Sequence, residues 1–196
     1  MSGPAIPITG DETADRLLEE NPLALLIGML LDQQVPMEWA FRGPATLRQR
    51  MGGSLDAATI AATGEDAVVA VCCEKPAIHR YPAAMGRRIH GLCQAVVDDY
   101  DGDAAAIWSD GADASDVYAR LRALPGYGDE KTRILMAILA KRLGVRPDGW
   151  IEVAAPFSDD QPRSIADVDS EENLLRVREW KQMMKAANKT KSDPVE

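Results

Sequence analysis

The sequence predicts an all-α fold on three observations. Helix-favouring residues, notably Ala, Leu, Met, Arg and Glu, are plentiful, whereas aromatic residues make up only 5% and β-branched runs are sparse. Apolar residues recur at three- and four-residue intervals in several segments. The length of 196 residues and the 46% hydrophobic content suit one medium domain or two small lobes sharing a core. An all-β sandwich, a collagenous chain and a mostly disordered chain are therefore excluded.

The first half of the chain divides into a series of predicted helices. Residues 1–10 are expected to be extended, and residues 11–20 to form a short acidic helix. Asn21 and Pro22 supply a helix cap and a first helical residue, and the apolar run that follows predicts a buried central helix that ends near residues 32–34.

The next helix is expected to begin near Pro36. Gly43 and Pro44 should interrupt it before a segment over residues 45–51. Short helices should then follow from Ser54 and from Glu65.

The second half has two longer periodic segments and a sharp turn between helices. A helix is predicted over residues 82–100, another around residues 117–124, and a third over residues 129–143 after a turn that contains two glycines. A short helix over 150–155, a polar linker over 158–162, an amphipathic helix over 164–187 and a polar tail complete the chain.

Composition also bears on location and partners. The longest uncharged apolar run covers residues 23–31, shorter than the roughly 20 residues that a bilayer requires, so no membrane association is expected. The first ten residues lack a basic and an apolar region, which predicts a cytoplasmic protein. The net charge of −9 disfavours a polyanionic partner. Basic residues nevertheless cluster in three blocks without acids, at 39–55, 75–90 and 131–146, which either form ordinary solvated faces or share one function.

The most informative stretch is the turn at residues 124–128, with the sequence LPGYG. Its two glycines, Gly126 and Gly128, are expected to take positive φ and to leave amide N–H groups uncovered at the start of the next helix. Such a helix start binds a phosphate without reading a base, although the same turn could be a simple corner between helices.

The chain resembles a known family at this turn and on both sides of it. The segment RALPGYGDEKTRILMAILAKRLG is similar to the helix-hairpin-helix of the HhH-GPD superfamily of base-excision DNA glycosylases, the endonuclease III relatives. The upstream segments NPLALLIGMLLDQQVPMEWAF and HRYPAAMGRRIHGLCQAVVDDYDGD resemble the family's buried helix and the helix before its hairpin. The resemblance implies an endonuclease III-like fold. It would have a helical domain at 22–147, containing the helix-hairpin-helix at about 113–143, and a smaller lobe formed by residues 1–21 and 148–196.

The resemblance implies cleavage of the bond between a damaged or mispaired base and its sugar, after the nucleotide has been flipped out of double-stranded DNA. A carboxylate stabilises the positive charge that develops on the sugar. Counting 24 positions from Leu124, as the family motif does, gives Asp148, which is also an ordinary turn residue. Asp32 is the reserve catalytic candidate, because it ends the buried helix; its alternative is a solvated helix end.

Further residues are assigned to DNA by motif position. Gln33 and Gln34 match a glutamine that reaches into DNA, and Met37 and Trp39 are candidates for a base pocket, with core packing as the alternative. Contacts to the DNA backbone are expected from the following residues: Gly126, Tyr127, Gly128, Lys131 and Arg133.

The resemblance also carries expectations about cofactors and reaction type. No cysteine follows Cys93, so an iron-sulfur cluster is not expected. A monovalent cation, K⁺ or Na⁺, would be held by the carbonyls of Arg122, Leu124 and Tyr127. Glu130 replaces the amine of bifunctional members, which predicts a monofunctional glycosylase, expected to be a monomer. A noncatalytic helix-hairpin-helix DNA-binding module and a helical protein-interaction protein remain alternatives.

Overall fold

The computed structural model describes residues 3–109 and 113–193, and every regular element in these residues is helical. The all-α prediction is thereby confirmed. The elements are α1 (Glu12–Glu20), α2 (Pro22–Leu31), α3 (Met37–Arg50), α4 (Ala57–Thr63), α5 (Glu65–Cys73), α6 (Pro82–Tyr100), α7 (Ala106–Ser109), α8 (Ala114–Ala123), α9 (Asp129–Arg142), α10 (Trp150–Ala154), the 3₁₀ helix η1 (Ile165–Asp167) and α11 (Glu171–Ala186).

Helix α2 is the centre of the fold, as its apolar sequence predicts. Asn21 caps it by accepting a hydrogen bond from the amide of Ala24 at 3.1 Å, and Pro22 occupies the first turn. Residues 23–31 are all buried. Helices α1 and α3 pack on α2, and α4 and α5 pack on α6. Helix α9, which is also buried along most of its length, contacts α8, α10 and η1.

The expected interruption of α3 at Gly43 and Pro44 does not occur. Pro44 lies inside the continuous helix Met37–Arg50, and both residues are buried. A Cβ atom on Gly43 would lie 2.4 Å from the Cδ1 atom of Leu31, so the glycine permits the close approach of α3 to α2. Burial of this face offsets the roughly 3 kcal/mol that a proline costs inside a helix.

The expected helix over 164–187 is two elements. The side chains of Ser164 and Asp167 form a reciprocal capping box that closes η1 as a single turn. Ser170 then caps α11 by accepting a hydrogen bond from the amide of Asn173 at 3.2 Å. These two caps therefore divide residues 164–187 into two helices, although the apolar periodicity alone favours one. Helix α7, a single turn, was not predicted.

One hydrophobic core runs through the described residues. Ile6 and Ile8 near the start and Val177 in α11 belong to the same buried cluster as α2 and α9. The division into a domain at 22–147 and a smaller lobe stays a prediction. Among the helices described, none combines the length and the apolar character needed to cross a bilayer.

Candidate active site

The turn between α8 and α9 docks on the last turns of α2, which brings together two segments about a hundred residues apart in the chain. The buried hydroxyl of Tyr127 donates a hydrogen bond to the carbonyl of Leu26 at 2.8 Å. The amine of Lys131, in the first turn of α9, donates to the carbonyl of Met29 and, at 3.1 Å, to that of Leu30. The end of α2 and the start of α9 therefore form one site.

The two glycines of this turn have different backbone conformations. Gly126 has φ +84°, and a Cβ atom there would lie 2.3 Å from the Cδ1 atom of the buried Leu30. Gly128 has φ −89° and ψ 174°, an extended conformation open to any residue. The expectation of positive φ is thus confirmed for Gly126 and wrong for Gly128. Gly128 precedes α9 without a side-chain cap.

Asp32 lies at the mouth of this site, directly after the last residue of α2. Its backbone amide continues the helical pattern by donating to the carbonyl of Gly28 at 3.0 Å. The side chain is half-buried, and its carboxylate accepts no hydrogen bond from any residue that the structure describes. Burial lowers the pKa of the Lys131 amine to about 8, and the negative charge of Asp32 opposes this shift. A carboxylate and an amine therefore lie within electrostatic reach of each other.

A second amine reaches the same place from the C-terminal helix α11. The amine of Lys181 contacts the thioether sulfur of the buried Met37. Burial lowers the pKa of the Lys181 amine to about 8, and the charge of Asp32 again opposes the shift. Sequence reasoning missed Lys181. Its position one turn beyond Val177, on the apolar face of α11, was the available signal.

Glu130, which the sequence resemblance assigns to the position of an amine, is held by the C-terminal tail. Lys191 pairs with its carboxylate at 3.4 Å, and Ser192 donates to it at 3.4 Å. The tail is anchored in turn by the buried Arg163, which donates to the carbonyls of Lys191 and Asp193 at 2.9 Å each. Its guanidinium also lies over the ring of Trp180, 5.3 Å from the centroid.

The anchored tail and α11 enclose a basic groove beside the start of α9. The groove has a volume of about 560 Å³. Its lining includes four lysines, Lys181, Lys185, Lys189 and Lys191. Glu130 also lines the groove, and the four lysines concentrate positive charge there in a chain whose net charge is −9.

The two candidate glutamines after Asp32 have different environments. The amide nitrogen of Gln33 donates to the carbonyl of Leu30 at 2.7 Å, and its amide oxygen accepts from Arg88 at 2.9 Å, so this side chain is held in place. Gln34 is exposed and has φ 57°, a left-handed conformation that turns the chain sharply after α2. Gln34 is therefore the glutamine available to a partner.

His79 fixes this loop and links it to two exposed aromatic residues. Its Nδ1 atom accepts from the amide of Tyr81 at 3.0 Å, so its Nε2 atom donates to the carbonyl of Gln33 at 2.9 Å. The rings of Trp39, 40% exposed, and Tyr81, 45% exposed, both lie near the imidazole, with centroid separations of 6.4 and 6.1 Å. Arg80 lies 5.4 Å from the centre of the Tyr81 ring. We call Trp39, His79 and Tyr81 the aromatic rim.

Asp148 does not join this site. It is exposed, and its carbonyl accepts from the amide of Ala114, the first residue of α8, at 3.0 Å. The turn at 124–128 follows the other end of α8, and ten helical residues span about 15 Å. Helix α9 begins at the turn and leads away from it as far as Arg142. Only a short segment follows before Asp148, so Asp148 lies at the end of α8 that is far from the turn.

Other sequence-based candidates have structural partners. Arg133 donates to the carbonyl of Ala155 at 2.7 Å and pairs with Asp129 at 3.1 Å, which occupies its guanidinium with protein groups. Met37 is 6% exposed and faces Lys181 rather than an open cavity. Of the two base-pocket candidates, Met37 is therefore buried and Trp39 is exposed to solvent.

Two of the three carbonyls expected to hold a monovalent cation, those of Leu124 and Tyr127, accept hydrogen bonds within the protein. The Arg122 guanidinium donates to the carbonyl of Tyr127 at 2.8 Å, and the amide of Tyr127 donates to the carbonyl of Leu124 at 3.1 Å. A fixed positive charge thus lies beside one of the three carbonyls that were expected to hold K⁺ or Na⁺. This geometry disfavours the cation prediction, because the two positive charges would repel each other.

Comparisons of the chain with protein-family models, with curated proteins and with solved structures found no match in any of the three. The geometry of the site and the resemblance of its sequence motifs are therefore the basis for a functional proposal.

Proposed function

We propose that this chain is a base-excision DNA glycosylase of the helix-hairpin-helix type, in which Asp32 is the catalytic carboxylate. One observation supports the proposal above the others, namely the docking of the turn at 124–128 on the end of α2. This contact places the unpaired carboxylate of Asp32 beside the helix start that would receive a DNA phosphate. A carboxylate next to a bound backbone is the arrangement that the chemistry requires.

The reaction needs a negative charge close to the sugar of the flipped nucleotide. As the bond between the base and the sugar breaks, positive charge develops on the sugar, and the carboxylate of Asp32 stabilises it. The same carboxylate accepts a proton from the water that attacks the sugar. Lys131, fixed to the end of α2 by two carbonyls, holds positive charge beside the approaching phosphate.

Binding to duplex DNA is assigned to two surfaces that adjoin Asp32. The basic groove formed by α11 and the tail offers lysines to backbone phosphates. The aromatic rim offers Trp39 and Tyr81 to unstacked bases, and Gln34 is placed to enter the duplex. Phosphate contacts of this kind predict binding that weakens steeply as salt concentration rises.

The test is a screen of duplexes that each carry one modified or mispaired base. Incubation with the protein is followed by chromatographic detection of the free base, so the measurement does not depend on strand cleavage. Release from at least one duplex, together with salt-sensitive duplex binding, supports the proposal. Binding without release from any duplex would replace it with the noncatalytic DNA-binding module, and the absence of binding would favour a protein-interaction role.

A further inference from the structure

We propose that the C-terminal tail, residues 188–193, is a clamp for a DNA backbone phosphate, in which Lys191 and Ser192 exchange the carboxylate of Glu130 for the phosphate. Arg163 is the positioning residue that holds the tail in place. This inference rests on the proposed function, which assigns the basic groove to duplex DNA. It adds an internal competitor and a positioning residue, which the presence of the groove alone does not imply.

The tail has a defined backbone path, whereas its sequence predicts only a polar end of the chain. Asn188 has φ 53°, a left-handed conformation that commonly ends a helix, and the amide of Lys189 donates to the carbonyl of Met184 at 2.8 Å. The side chain of Asp193 then accepts from the hydroxyl of Thr190 at 3.0 Å, which closes a second turn. The chain therefore folds back beside α11 after the helix ends.

Arg163 anchors the backbone of the tail from below. Its guanidinium is almost fully buried, donates to the carbonyls of Lys191 and Asp193 at 2.9 Å each, and pairs with Asp159 at 2.8 Å. The ring of Trp180 lies against the same guanidinium. A buried charge is costly unless it is paired and hydrogen-bonded, and departure of the tail would remove two of these acceptors. The tail backbone is therefore expected to stay in place.

The contact between the tail and Glu130 is weak by comparison. The amine of Lys191 lies 3.4 Å from the carboxylate, and the hydroxyl of Ser192 also donates to it over 3.4 Å. The side chains of Lys191 and Glu130 are 31% and 47% exposed, and an ion pair as exposed as this one contributes little to stability. An anion from outside can therefore replace the carboxylate while the tail backbone stays fixed.

The surroundings of this contact favour a DNA phosphate as that anion. The carboxylate of Glu130 has an ammonium and a hydroxyl as partners, and both groups also bind the phosphate oxygens of DNA. The groove supplies further positive charge from Lys181, Lys185 and Lys189. A phosphate in a duplex gains additional affinity because DNA releases counterions when lysines neutralise it. Glu130, in the first turn of α9, thus occupies the clamp until DNA replaces it.

The salt dependence of duplex binding tests the clamp. Affinity for a labelled, undamaged duplex is measured by fluorescence anisotropy at several salt concentrations, so the measurement does not depend on base release. Each phosphate contact contributes about 0.9 to the slope of log affinity against log salt concentration, so Lys191→Gln should lower that slope by about 0.9. Equal slopes for Lys191→Gln and the wild type would overturn the inference.

Arg176→Gln is the matched control for this measurement. It removes one positive charge from the same helix as Lys185, but on the opposite face of α11 and outside the groove. Its slope should equal that of the wild type. A fall as large as that of Lys191→Gln would show that net charge, and not the clamp, determines the slope.

A double-mutant cycle tests the exchange of Glu130 for phosphate. Glu130→Gln removes the internal competitor, so it should tighten duplex binding by about 2- to 5-fold more when Lys191 is present than in a Lys191→Gln background. Asp129→Asn removes a neighbouring carboxylate that pairs with Arg133 instead, and should have the same effect in both backgrounds. An equal effect of Glu130→Gln in both backgrounds would refute the exchange.

Arg163→Met tests the positioning role. It removes no lysine, yet the salt slope should fall by about 0.9, because Lys191 loses its fixed position, and adding Lys191→Gln should lower the slope no further. Circular dichroism checks folding. A wild-type slope in folded Arg163→Met would contradict the positioning role, and the surface variants Lys191→Gln and Glu130→Gln decide the inference if Arg163→Met does not fold.

The outcomes separate this inference from the proposed function. Base release together with a wild-type slope in Lys191→Gln would leave the glycosylase and remove the clamp. The expected slopes and coupling without base release from any duplex would leave the clamp and remove the glycosylase. Absence of salt-sensitive duplex binding would remove both.

Discussion

Substitution of alanine at each of the two turn glycines tests how the turn is held on α2. At Gly126 an alanine must adopt φ +84°, which costs about 1–2 kcal/mol for a residue with a Cβ atom. Its Cβ would also lie 2.3 Å from the Cδ1 atom of Leu30, a fully buried side chain. Forcing a buried neighbour to shift costs about 1–3 kcal/mol, and the reduced freedom of the unfolded chain returns about 0.4–1 kcal/mol. Gly126→Ala should therefore lower the free energy of unfolding by about 1–5 kcal/mol.

Gly128→Ala is the matched control in the same turn. Its φ is −89°, and no atom lies within 4 Å of the position that its Cβ would take. Alanine is a poorer helix cap than glycine, which lowers stability, but it also restricts the unfolded chain, which raises stability. Because these small effects oppose each other, the free energy of unfolding should stay within about 0.5 kcal/mol of the wild-type value.

Urea unfolding followed by circular dichroism measures both variants. The reasoning requires a lower midpoint for Gly126→Ala at an unchanged slope, and a wild-type midpoint for Gly128→Ala. Equal destabilisation of the two variants, or none in either, would show that the close approach of Gly126 to Leu30 does not hold the turn.

Three further predictions concern neighbouring groups. Tyr127→Phe removes a buried hydrogen bond to the Leu26 carbonyl, which keeps its partner within α2, so urea unfolding should show a loss of about 0.5–1.5 kcal/mol; an unchanged midpoint would contradict this. Because the Lys181 pKa is lowered to about 8 from 10.5, the unfolded chain binds more protons between these values, and wild-type stability should rise from pH 8 to 10.5. Lys181→Met should reduce that rise and unfold at higher urea than the wild type at pH 7, while Lys75→Met, which removes an exposed amine away from the site, should do neither. Trp39 is the tryptophan with a widely exposed ring, so duplex DNA should quench its fluorescence; quenching of equal size in Trp39→Phe would count against the aromatic rim.

The local elements of the site could be predicted from the sequence, because their signals lie within a few residues. Asn21 and Pro22 define the start of α2, and the turn at 124–128 is evident from its glycines. The pairing of distant groups could not be predicted in this way. A fixed count from Leu124 led to Asp148, but such a count assumes a helix length, and α9 extends to Arg142.

The burial of a charged side chain was the other feature of the site that the sequence could not predict. Lys181 occupies an apolar-face position of α11, which the periodicity shows, but charged residues at such positions commonly extend their amines to solvent. Only the side-chain contacts of α11 with the start of α3 place this amine against Met37 and within electrostatic reach of Asp32. The interruption expected at Pro44 failed for a similar reason, since tertiary burial outweighed a local helix-breaking signal.

The choice between Asp32 and Asp148 is the most direct test of this account. Base release is measured for Asp32→Asn and Asp148→Asn on a duplex from which the wild type releases the base, with duplex affinity measured in parallel. Asp32→Asn should abolish release and bind DNA as tightly as the wild type or more tightly, since it removes a negative charge beside a polyanion. Asp148→Asn should release the base at the wild-type rate. Loss of release in Asp148→Asn, with full activity in Asp32→Asn, would contradict the account.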